Sequence, residues 1–558
     1  MIKRVMVIGL DSAPLELLEP WMEAGELPNL SRLATEGSMG VLNSTFPPLS
    51  PAAWSSFATG MNPGKHGVYD HGYRQPGSYR IVPTNALRRG GKTVWQLISE
   101  QGGRVGVINV PETYPPEPLN GFMITGMTTP SEESEWCYPA TLKEDLETAM
   151  GGYQIYGARS KENLDLSLAG MHETIPMRMK AAAHLWKNYA PEFMILVFME
   201  TDVVQHKTWK YMDSSHPQYD ADGAQKYGRA ILDVYKQIDD HLPLLLDQVD
   251  EETAVIIMSD HGAGPIDKWL NLNNWLVRKG FLRLKTAPSS RLRYLLSRLG
   301  LTPNNAYKLI ARLQLGVTDR VADQTKKKSS IRQANPLMRL FLSFADVDWS
   351  RTRAYTLGGN LTGLWINLEG REPEGGVAPG TEYERLRDKL INELQDLCDP
   401  DDGQPIATAI YRREEVYDGP YVERAPDILF ETRDEQYVGF GIQEFVTNAI
   451  AEPSPVFSGC HRRAGMVILH GQPFRQGVSL SQQDIMDVTP TILHLLGYSV
   501  PEDMDGQVMT EAMNPAFLDD FPIRFSSATW QPSKDDESRF SEGDEERVTE
   551  RLRSLGYL

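Results

Sequence analysis

Short runs of consecutive apolar residues constrain the fold of this chain more than any other feature. They occupy residues 5–10, 104–109, 193–199, 254–258 and 466–469. A strand inside a parallel sheet is covered on both faces, so it is apolar throughout and lacks the alternation of a half-exposed strand. Helical stretches such as 174–188 and 228–249 separate the runs. This alternation of strands and helices predicts an α/β fold with a mainly parallel central sheet.

Acidic residues or histidines closely follow three of these predicted strands. Asp11 follows the first strand, Asp202 and His206 follow the run 193–199, and Asp260 and His261 follow the run 254–258. In an open α/β sheet, ligands bind beyond the carboxyl ends of the strands, so we expect these side chains at one edge. Clustered carboxylates repel one another unless a cation neutralises them. Asp and His together suit Zn²⁺ first, with Mn²⁺ or Fe²⁺ as alternatives.

Each of these residues has an ordinary structural explanation when it is taken alone. Asp11 is typical of a helix N-cap or a turn, and the pair Asp202 and His206 is typical of a solvated helix face. Their occurrence at three corresponding strand ends favours a metal centre.

A proline-rich segment at residues 45–51 contains a candidate nucleophile. Its prolines keep the chain extended as far as Ser50, and Pro51 suits the first turn of a helix. Ser50 would then lie at a helix N-terminus, where free N–H groups and the helix dipole favour an anion. An ordinary N-cap serine is the alternative. As a nucleophile, a serine needs activation by a base or a metal, which the predicted metal centre could supply.

Composition excludes several classes of protein. The 558 residues carry a formal charge of −19, so we expect no stable nucleic-acid partner. No run approaches the ~18 apolar residues of a transmembrane helix, and the N-terminal apolar run is too short for a secretory signal. The three cysteines are far apart, which argues against a disulfide framework and against a structural cysteine zinc site. We therefore expect a cytoplasmic protein.

Charge and apolar content divide the chain into five predicted parts. Residues 278–340 contain 15 Lys and Arg against two Asp, a net charge of +13, which indicates a basic helical insertion. This insertion could form a lid that attracts anionic substrates, a peripheral contact with an anionic membrane, or a solubilising helical pair. The parts are the first part of the core (1–277), the basic insertion (278–345), a small α+β subdomain (346–425), a part that completes the core (426–514), and an acidic linker with a C-terminal helix (515–558).

Seven motifs follow one another along the chain. They are VIGLDSA (7–13), ELPNLSRLATEG (26–37), TFPPLSPAAWSSFATGMNPGKHGVYD (45–70), ETDVVQH (200–206), MSDHG (258–262), GCHRRAG (459–465) and DVTPTILHLLGYSVPEDMDG (487–506). Their order and chemistry resemble the type I phosphodiesterase/nucleotide pyrophosphatase family of the alkaline phosphatase superfamily. The resemblance covers most of residues 1–510. It implies an alkaline-phosphatase-like three-layer sandwich, with the helical insertion and the small subdomain added to it.

The resemblance also implies a set of site residues. Members of this family bind two divalent metal ions, usually zinc, and attack phosphorus with a Thr or Ser alkoxide. By position, the ligands of one ion would be Asp202, His206 and His461, and those of the other Asp11, Asp260 and His261, with Ser50 as nucleophile and further ligand. His461 is implied by the resemblance alone.

Two positions depart from the family pattern. Ser50 stands where this branch most often has Thr, and a serine is chemically competent for the same step. Thr45 and Ser44 are rival hydroxyls, but the spacing to residues 59–60 favours Ser50. Where nucleotide pyrophosphatases usually place an Asn that contacts a phosphoryl oxygen, the counterpart here is His71.

The resemblance predicts hydrolysis of phosphodiester or phosphoanhydride bonds in small anionic substrates, through a phosphoseryl intermediate on Ser50. A phosphomonoesterase, a phosphomutase or a phospho-head-group transferase would use the same centre. A binding scaffold is the non-enzymatic alternative, and the complete set of competent site residues argues against it. Sulfatases share the fold but need the motif C/S-x-P-x-R, which residues 50–54 lack.

Overall fold

A ten-stranded mixed sheet forms the centre of the molecule. The computed structural model describes residues 2–157, 163–306, 340–357, 362–439, 445–454, 457–534 and 540–555. The strands of the sheet are β1 (Arg4–Leu10), β2 (Ser38–Asn43), β3 (Val105–Ile108), β4 (Gly121–Ile124), β5 (Cys137–Tyr138), β6 (Phe193–Phe198), β7 (Thr253–Met258), β8 (Ala464–His470), β9 (Val478–Ser479) and β10 (Gln483–Asp484). Their spatial order is β9-β2-β8-β7-β1-β6-β3-β4-β5, and β10 also pairs with β2.

Most neighbouring strands of this sheet are parallel. β1 pairs in parallel with β6 and β7, and β3 pairs in parallel with β6 and β4. The predicted α/β fold with a mainly parallel sheet is therefore confirmed. Residues 466–469, however, lie in β8, which runs antiparallel to β2 and β7. Apolar content does not encode direction, because a strand buried on both faces is apolar in either orientation.

Helices cover both faces of the central sheet. Every residue of β6 and β7 is buried, which requires a layer on each side. The principal helices are α1 (Leu15–Glu23), α2 (Pro28–Thr35), α3 (Ser50–Thr59), α4 (Val94–Glu100), α5 (Leu142–Met150), α6 (Leu164–Tyr189), α7 (Glu200–Met212), α8 (Ala230–His241), α9 (Leu272–Lys279), α10 (Pro288–Arg298), α11 (Thr381–Gln395), α12 (Val488–Leu495) and α13 (Glu542–Leu555). The predicted helix at 228–249 is two helices, α8 and Pro243–Leu246, because Pro243 has no N–H to continue the ladder.

A smaller antiparallel sheet has a hydrophobic core of its own. Its strands, in spatial order, are Ala354–Tyr355, Gly363–Ile366, Ile428–Thr432 and Ala407–Arg412. The helix α11 packs on it, and side chains such as Leu390 and Phe430 fill the space between. The third strand follows residue 425, where the sequence predicts the end of this unit. This strand pairs with strands that are distant in sequence, so local composition does not show that it belongs to the smaller sheet.

The other strands form short two-stranded ribbons and a small three-stranded sheet. They pair Gly262–Pro265 with Gly459–Arg462, Gly72–Arg74 with Ile81–Pro83, and Val500–Pro501 with Phe525–Ser526, while Tyr437–Gly439, Lys268–Leu270 and Ala451–Pro453 form a three-stranded sheet.

The basic insertion is described in part. The helix α10 and the residue after it expose Leu292, Leu295 and Leu299, so an apolar face of this segment points to solvent. The rest of the predicted insertion at 307–339 lies outside the described residues. Within the described part of the chain, no helix has the length and apolar content to cross a membrane.

Candidate metal centre

The carboxyl ends of β1, β6 and β7 lie level with one another. Leu10 pairs with Phe198, and Gly9 pairs with Met258. The chain therefore leaves all three strands at the same edge of the sheet, as a parallel arrangement requires. Three fully buried carboxylates follow at that edge: Asp11, Asp202 and Asp260.

The first group of candidate ligands consists of one carboxylate and two imidazoles. Asp202 and His206 lie one turn apart on α7 and share a face of that helix. His461 reaches them from the strand Gly459–Arg462, which pairs with Gly262–Pro265 just after β7. Asp202 Oδ1 lies 3.1 Å from His206 Nε2 and 3.4 Å from His461 Nε2, and the two Nε2 atoms are 3.0 Å apart.

The second group consists of two carboxylates and one imidazole. His261 Nε2 lies 3.3 Å from Asp260 Oδ2 and 3.9 Å from Asp11 Oδ1. Both of these carboxylate oxygens are buried and accept no hydrogen bond from a described residue. His261 also forms a set with Asp202 and His461 whose ligand atoms lie within 4.8 Å of one another. The two groups are therefore contiguous.

All three histidines direct Nε2 to the centre. Each Nδ1 atom lies close to a backbone carbonyl oxygen: His206 to Gly459 at 2.7 Å, His461 to Pro48 at 2.9 Å, and His261 to Gly262 at 3.0 Å. A carbonyl oxygen only accepts, so each Nδ1 carries a proton, and in the neutral ring Nε2 is the acceptor that can bind a metal. Partners of this kind fix the orientation of metal-binding histidines.

The donor atoms fit divalent cations. In the first group they lie 3.0–3.4 Å apart. This matches the roughly 3.3 Å edge of a tetrahedron with metal–ligand bonds of about 2.0 Å. In the second group, two buried carboxylate oxygens without a donor call for a positive charge. The two buried Asp/His clusters are therefore consistent with a binuclear metal site.

Burial and neighbouring charges perturb the carboxyl groups unequally. Burial raises the pKa of Asp11 well above its ordinary value, and the charges of Asp260 and Asp202 raise it further. Burial likewise raises the pKa of Asp260. Burial acts in the same direction on Asp202, but the charge of protonated His206 and the hydrogen bonds from His206 and His461 outweigh it, and they hold the pKa of Asp202 well below its usual range. Positive charge is thus most favoured beside Asp11 and Asp260, where the pKa values of the carboxyls are raised.

Ser50 adjoins the second group. It is the first residue of α3, a helix that is buried along its whole length. Its Oγ atom lies 3.1 Å from His261 Nε2, the same atom that Asp11 and Asp260 approach. The rival hydroxyl of Thr45 donates to the carbonyl of Pro47 at 3.0 Å, within its own loop. Of the two hydroxyls, Ser50 is the one next to the candidate ligands.

Two contacts outside the predicted ligand sets hold the carboxylates of the second group. Trp54 lies one turn after Ser50 on α3 and donates from Nε1 to Asp11 Oδ2 at 2.7 Å. The backbone N–H of Ser12 donates to Asp260 Oδ1 at 3.1 Å, with Ser12 in the left-handed region at φ 64°. The i+4 spacing of Trp54 from the candidate nucleophile is the one local signal for its position.

His71 lies beside the first group and is fully buried. Burial, assisted by the charge of His461, lowers the pKa of His71 to about 3, so the ring is neutral near pH 7. Its Nδ1 atom lies 3.7 Å from Glu112 Oε1. A neutral imidazole has one N–H donor, and the side-chain amide of Asn also donates through N–H. The ring is therefore suited to the donor role of an Asn.

One family model covers most of the chain. It describes type I phosphodiesterase/nucleotide pyrophosphatase and matches residues 5–444. Two structures of phosphonoacetate hydrolase from Sinorhizobium meliloti 1021, one in complex with phosphonoformate and one with phosphonoacetate, are similar at 14% identity and a TM-score of 0.49. Each similarity covers 88% of this chain and 94% of the solved chain. No curated protein matches the chain. Because the family match spans all three strand ends of the metal centre, we conclude that the chain belongs to the type I phosphodiesterase/nucleotide pyrophosphatase family of phosphoric ester hydrolases.

Proposed function

We propose that this chain hydrolyses phosphodiester or phosphoanhydride bonds with two divalent metal ions and a phosphoseryl intermediate on Ser50. The observation that carries the proposal is the position of Ser50 Oγ, 3.1 Å from His261 Nε2 at the start of α3. A hydroxyl there can attack a phosphorus atom held at the same edge of the sheet.

Each group of ligands would hold one ion. The first ion would be bound by Asp202, His206 and His461, and the second by Asp11, Asp260 and His261, with Ser50 beside it. When bound, two such ions would lower the pKa of a neighbouring hydroxyl and neutralise charge on phosphoryl oxygens. Asp and His donors suit Zn²⁺ best, with Mn²⁺ or Fe²⁺ as alternatives.

The remaining steps use groups of the chain itself. Ser50 Oγ would attack phosphorus, form the phosphoserine bond and displace the leaving group. The free N–H groups in the first turn of α3 would bind phosphoryl oxygens, because a helix N-terminus stabilises an anion. His71 would donate a hydrogen bond to one of those oxygens. Water would then attack the phosphoserine and release Ser50.

The side chains near the first group support a diester substrate over a monoester. A cavity bordered by His206 and His461 has aromatic, aliphatic and glutamate side chains in its wall, and no Lys or Arg among its described lining residues. A phosphomonoester carries a dianionic phosphate, which proteins commonly grip with arginine. A diester carries a single charge and needs no such grip.

Trapping the intermediate tests the proposal. The zinc-loaded protein would be mixed with bis-p-nitrophenyl phosphate, quenched in acid and mapped by mass spectrometry. A p-nitrophenylphosphoryl group on Ser50 supports the proposal. The same group on Thr45, or active protein that never carries a phosphoryl group, would instead indicate another nucleophile or direct attack by water.

We propose further that the protein is cytoplasmic and that its basic insertion contacts an anionic membrane surface. Exposed leucines on α10, between Arg291 and Arg298, favour contact with an anionic membrane surface over a solubilising role. Phosphatidylserine vesicles should then bind the protein better than phosphatidylcholine vesicles.

If the basic insertion is instead a lid over the metal centre, neutralising the three lysines at 326–328, which lie outside the described residues, should raise KM and flatten its salt dependence.

A further inference from the structure

The loop that follows β3 brings another buried carboxyl group to the edge of the metal centre. Strand β3 pairs in parallel with β6, with Ile108 opposite Leu196, so its carboxyl end lies at the same edge of the sheet as the metal ligands. Glu112 follows this strand by four residues, and its side chain is 1% exposed. The two groups of candidate ligands do not include it.

The backbone of this loop is held in an uncommon conformation. Glu112 has a φ of 58°, and Asn109 at the start of the loop has a φ of 59°. Non-glycine residues enter this left-handed region at a cost in free energy, and they do so most often at functional sites. Asn109 Oδ1 accepts a hydrogen bond from the Tyr153 hydroxyl at 2.8 Å, and the carbonyl oxygen of Glu112 accepts one from Arg89 Nη1 at 3.2 Å. These bonds hold the loop at both ends.

The side chain of Glu112 approaches the imidazole of His71. Glu112 Oε1 lies 3.7 Å from His71 Nδ1, and both side chains are buried. The backbone of His71 is fixed, because its N–H donates to Asp70 Oδ1 at 2.7 Å and its carbonyl oxygen accepts from the N–H of Thr84 at 2.8 Å. A small rotation of either side chain would bring the two groups into hydrogen-bond distance. Such bonds are often long before substrate binds and shorten in the complex.

The position of the ring proton decides whether His71 can serve a phosphoryl group. A neutral imidazole carries its proton on one nitrogen only. With the proton on Nδ1, the other nitrogen is an acceptor and would repel a phosphoryl oxygen. With the proton on Nε2, the ring can donate to that oxygen, and Nδ1 is then free to accept a hydrogen bond. A donor beside Nδ1 therefore selects the useful form, and a protonated carboxyl group is such a donor.

The surroundings of Glu112 favour a protonated carboxyl group. Burial raises the pKa of Glu112 well above its ordinary value, and the opposing effects of the Arg89 charge and the Thr128 hydroxyl do not outweigh it. The charge of Asp70 raises the pKa of Glu112 further. Since His71 is neutral near pH 7, the pair is suited to a neutral ring beside a carboxyl group that donates.

We propose that Glu112 is a positioning residue whose carboxyl group donates to His71 Nδ1 and so keeps the ring proton on Nε2, directed at a phosphoryl oxygen of the substrate. The inference rests on the proposed function, in which His71 binds that oxygen. Negative charge develops on the oxygen while Ser50 attacks, and the Nε2–H bond strengthens with it. The pair should therefore lower the barrier more than it tightens substrate binding.

NMR of the ring nitrogens tests the tautomer directly. In zinc-loaded protein with isotope-labelled histidine, chemical shifts distinguish protonated from unprotonated nitrogens, and the His71→Asn variant identifies the His71 signals by their absence. We expect the Nε2–H form in the wild type and in Glu112→Gln, whose amide can still donate. Glu112→Met has a side chain of similar size without a donor, and it should shift the ring toward the Nδ1–H form. An Nδ1–H ring in the wild type, or an unchanged tautomer in folded Glu112→Met, would overturn the inference.

Kinetics of the same variants test the role in turnover. With bis-p-nitrophenyl phosphate, Glu112→Met should lower kcat about 10- to 100-fold with little change in KM, because a phosphoryl oxygen loses an oriented donor. Glu112→Gln should retain most of the wild-type kcat. Glu132→Met, which replaces an exposed carboxylate, is the control and should match the wild type. Thermal unfolding would confirm that each variant is folded. A folded Glu112→Met protein with the wild-type kcat would refute the role.

A double variant separates orientation of His71 from a general structural role. In His71→Asn the amide donates without help from Glu112, so adding Glu112→Met should cause little further loss of kcat. Losses that add fully would contradict the inference.

The inference and the proposed function fail separately. Hydrolysis of the diester by a protein whose His71 ring is in the Nδ1–H form would leave the function standing and refute the inference. The expected tautomers without hydrolysis of any diester would refute the function and leave Glu112 as the residue that sets the tautomer of His71.

Discussion

Individual side chains at the metal centre are oriented by groups from distant parts of the chain. Trp54 holds Asp11 through its indole N–H, and the carbonyl oxygens of Pro48 and Gly459 hold two of the histidines. A ligand that is already held in its binding orientation loses less freedom when the metal binds. The metal affinity should therefore depend on residues that do not touch the metal.

Replacement of Trp54 tests this dependence. Trp54→Phe keeps an aromatic ring but removes the donor to Asp11 Oδ2, so we expect the affinity for Zn²⁺ to fall about 10- to 100-fold. Competition with a fluorescent chelator would measure it. Trp95→Phe is the matched control, because Trp95 is equally buried but donates to Glu117. Equal losses in both variants would contradict a specific role of Trp54.

Substitutions at Ser50 test the proposed nucleophile. Ser50→Ala removes the attacking hydroxyl and should lower kcat roughly 10³-fold or more, with zinc still bound by the Asp and His ligands. Ser50→Thr keeps the hydroxyl and should retain substantial activity. Thr45→Val is the control and should have little effect. Steady-state kinetics would measure kcat, and elemental analysis would measure the bound zinc. A fully active Ser50→Ala variant would exclude Ser50 as the nucleophile.

At the scale of whole elements, the C-terminal helix α13 joins the main core although its sequence is highly charged. Val548 and Leu552 lie four residues apart on one face and are fully buried in that core. Just before the helix, Phe540 stacks on Tyr114 with ring centroids 5.8 Å apart. A narrow apolar stripe thus attaches the end of the chain to the body of the protein.

Truncation of this stripe should destabilise the protein. Leu552→Ala leaves a cavity in the core, and we expect the free energy of unfolding to fall by about 2–4 kcal/mol. Glu550→Ala, on the exposed side of the same helix, should change it by no more than about 0.5 kcal/mol. Denaturant titrations would compare the two. A Leu552→Ala protein as stable as the control would mean that α13 does not stabilise the core.

At the scale of the whole molecule, folding couples the charge of the metal centre to stability. The pKa values of Asp11 and Asp260 are raised in the folded protein. Their contribution to the free energy of unfolding is therefore complete below about pH 4, the pKa of an aspartate in the unfolded chain. It is lost as the pH rises through the raised pKa values of the folded protein. The lowered pKa of Asp202 acts oppositely, and its contribution is lost as the pH falls through its folded value.

Metal removal should accordingly lower stability more at higher pH. We expect the Tm in excess chelator to lie below the Tm with Zn²⁺, and the difference to be larger at pH 8 than at pH 5. At low pH, protons neutralise Asp11 and Asp260 and compete with the metal for them. Differential scanning calorimetry at both pH values would measure the difference. The same Tm with and without chelator would contradict a metal bound at these carboxylates.

Local sequence patterns predict most of the strands and helices that surround the metal centre. Continuous apolar runs identify β1, β6 and β7 because burial on both faces leaves no polar position in a strand. The same runs place Asp11 directly after one strand and Asp260 two residues after another, and the i,i+4 spacing places Asp202 and His206 on one helix face. Pro51 marks the start of α3 and hence the position of Ser50. These signals are local because they depend on backbone geometry over one strand or one or two helical turns.

Contacts between residues far apart in sequence decided the rest. His461 enters the first group only because its strand pairs with Gly262–Pro265, and nothing in its local sequence marks it as a ligand. The antiparallel direction of β8, the third strand of the smaller sheet and the cavity beside His206 and His461 have the same origin. Each is set by pairing or packing between segments separated by many residues. A single sequence records the residues that can form such contacts, but the folded chain determines which of them meet.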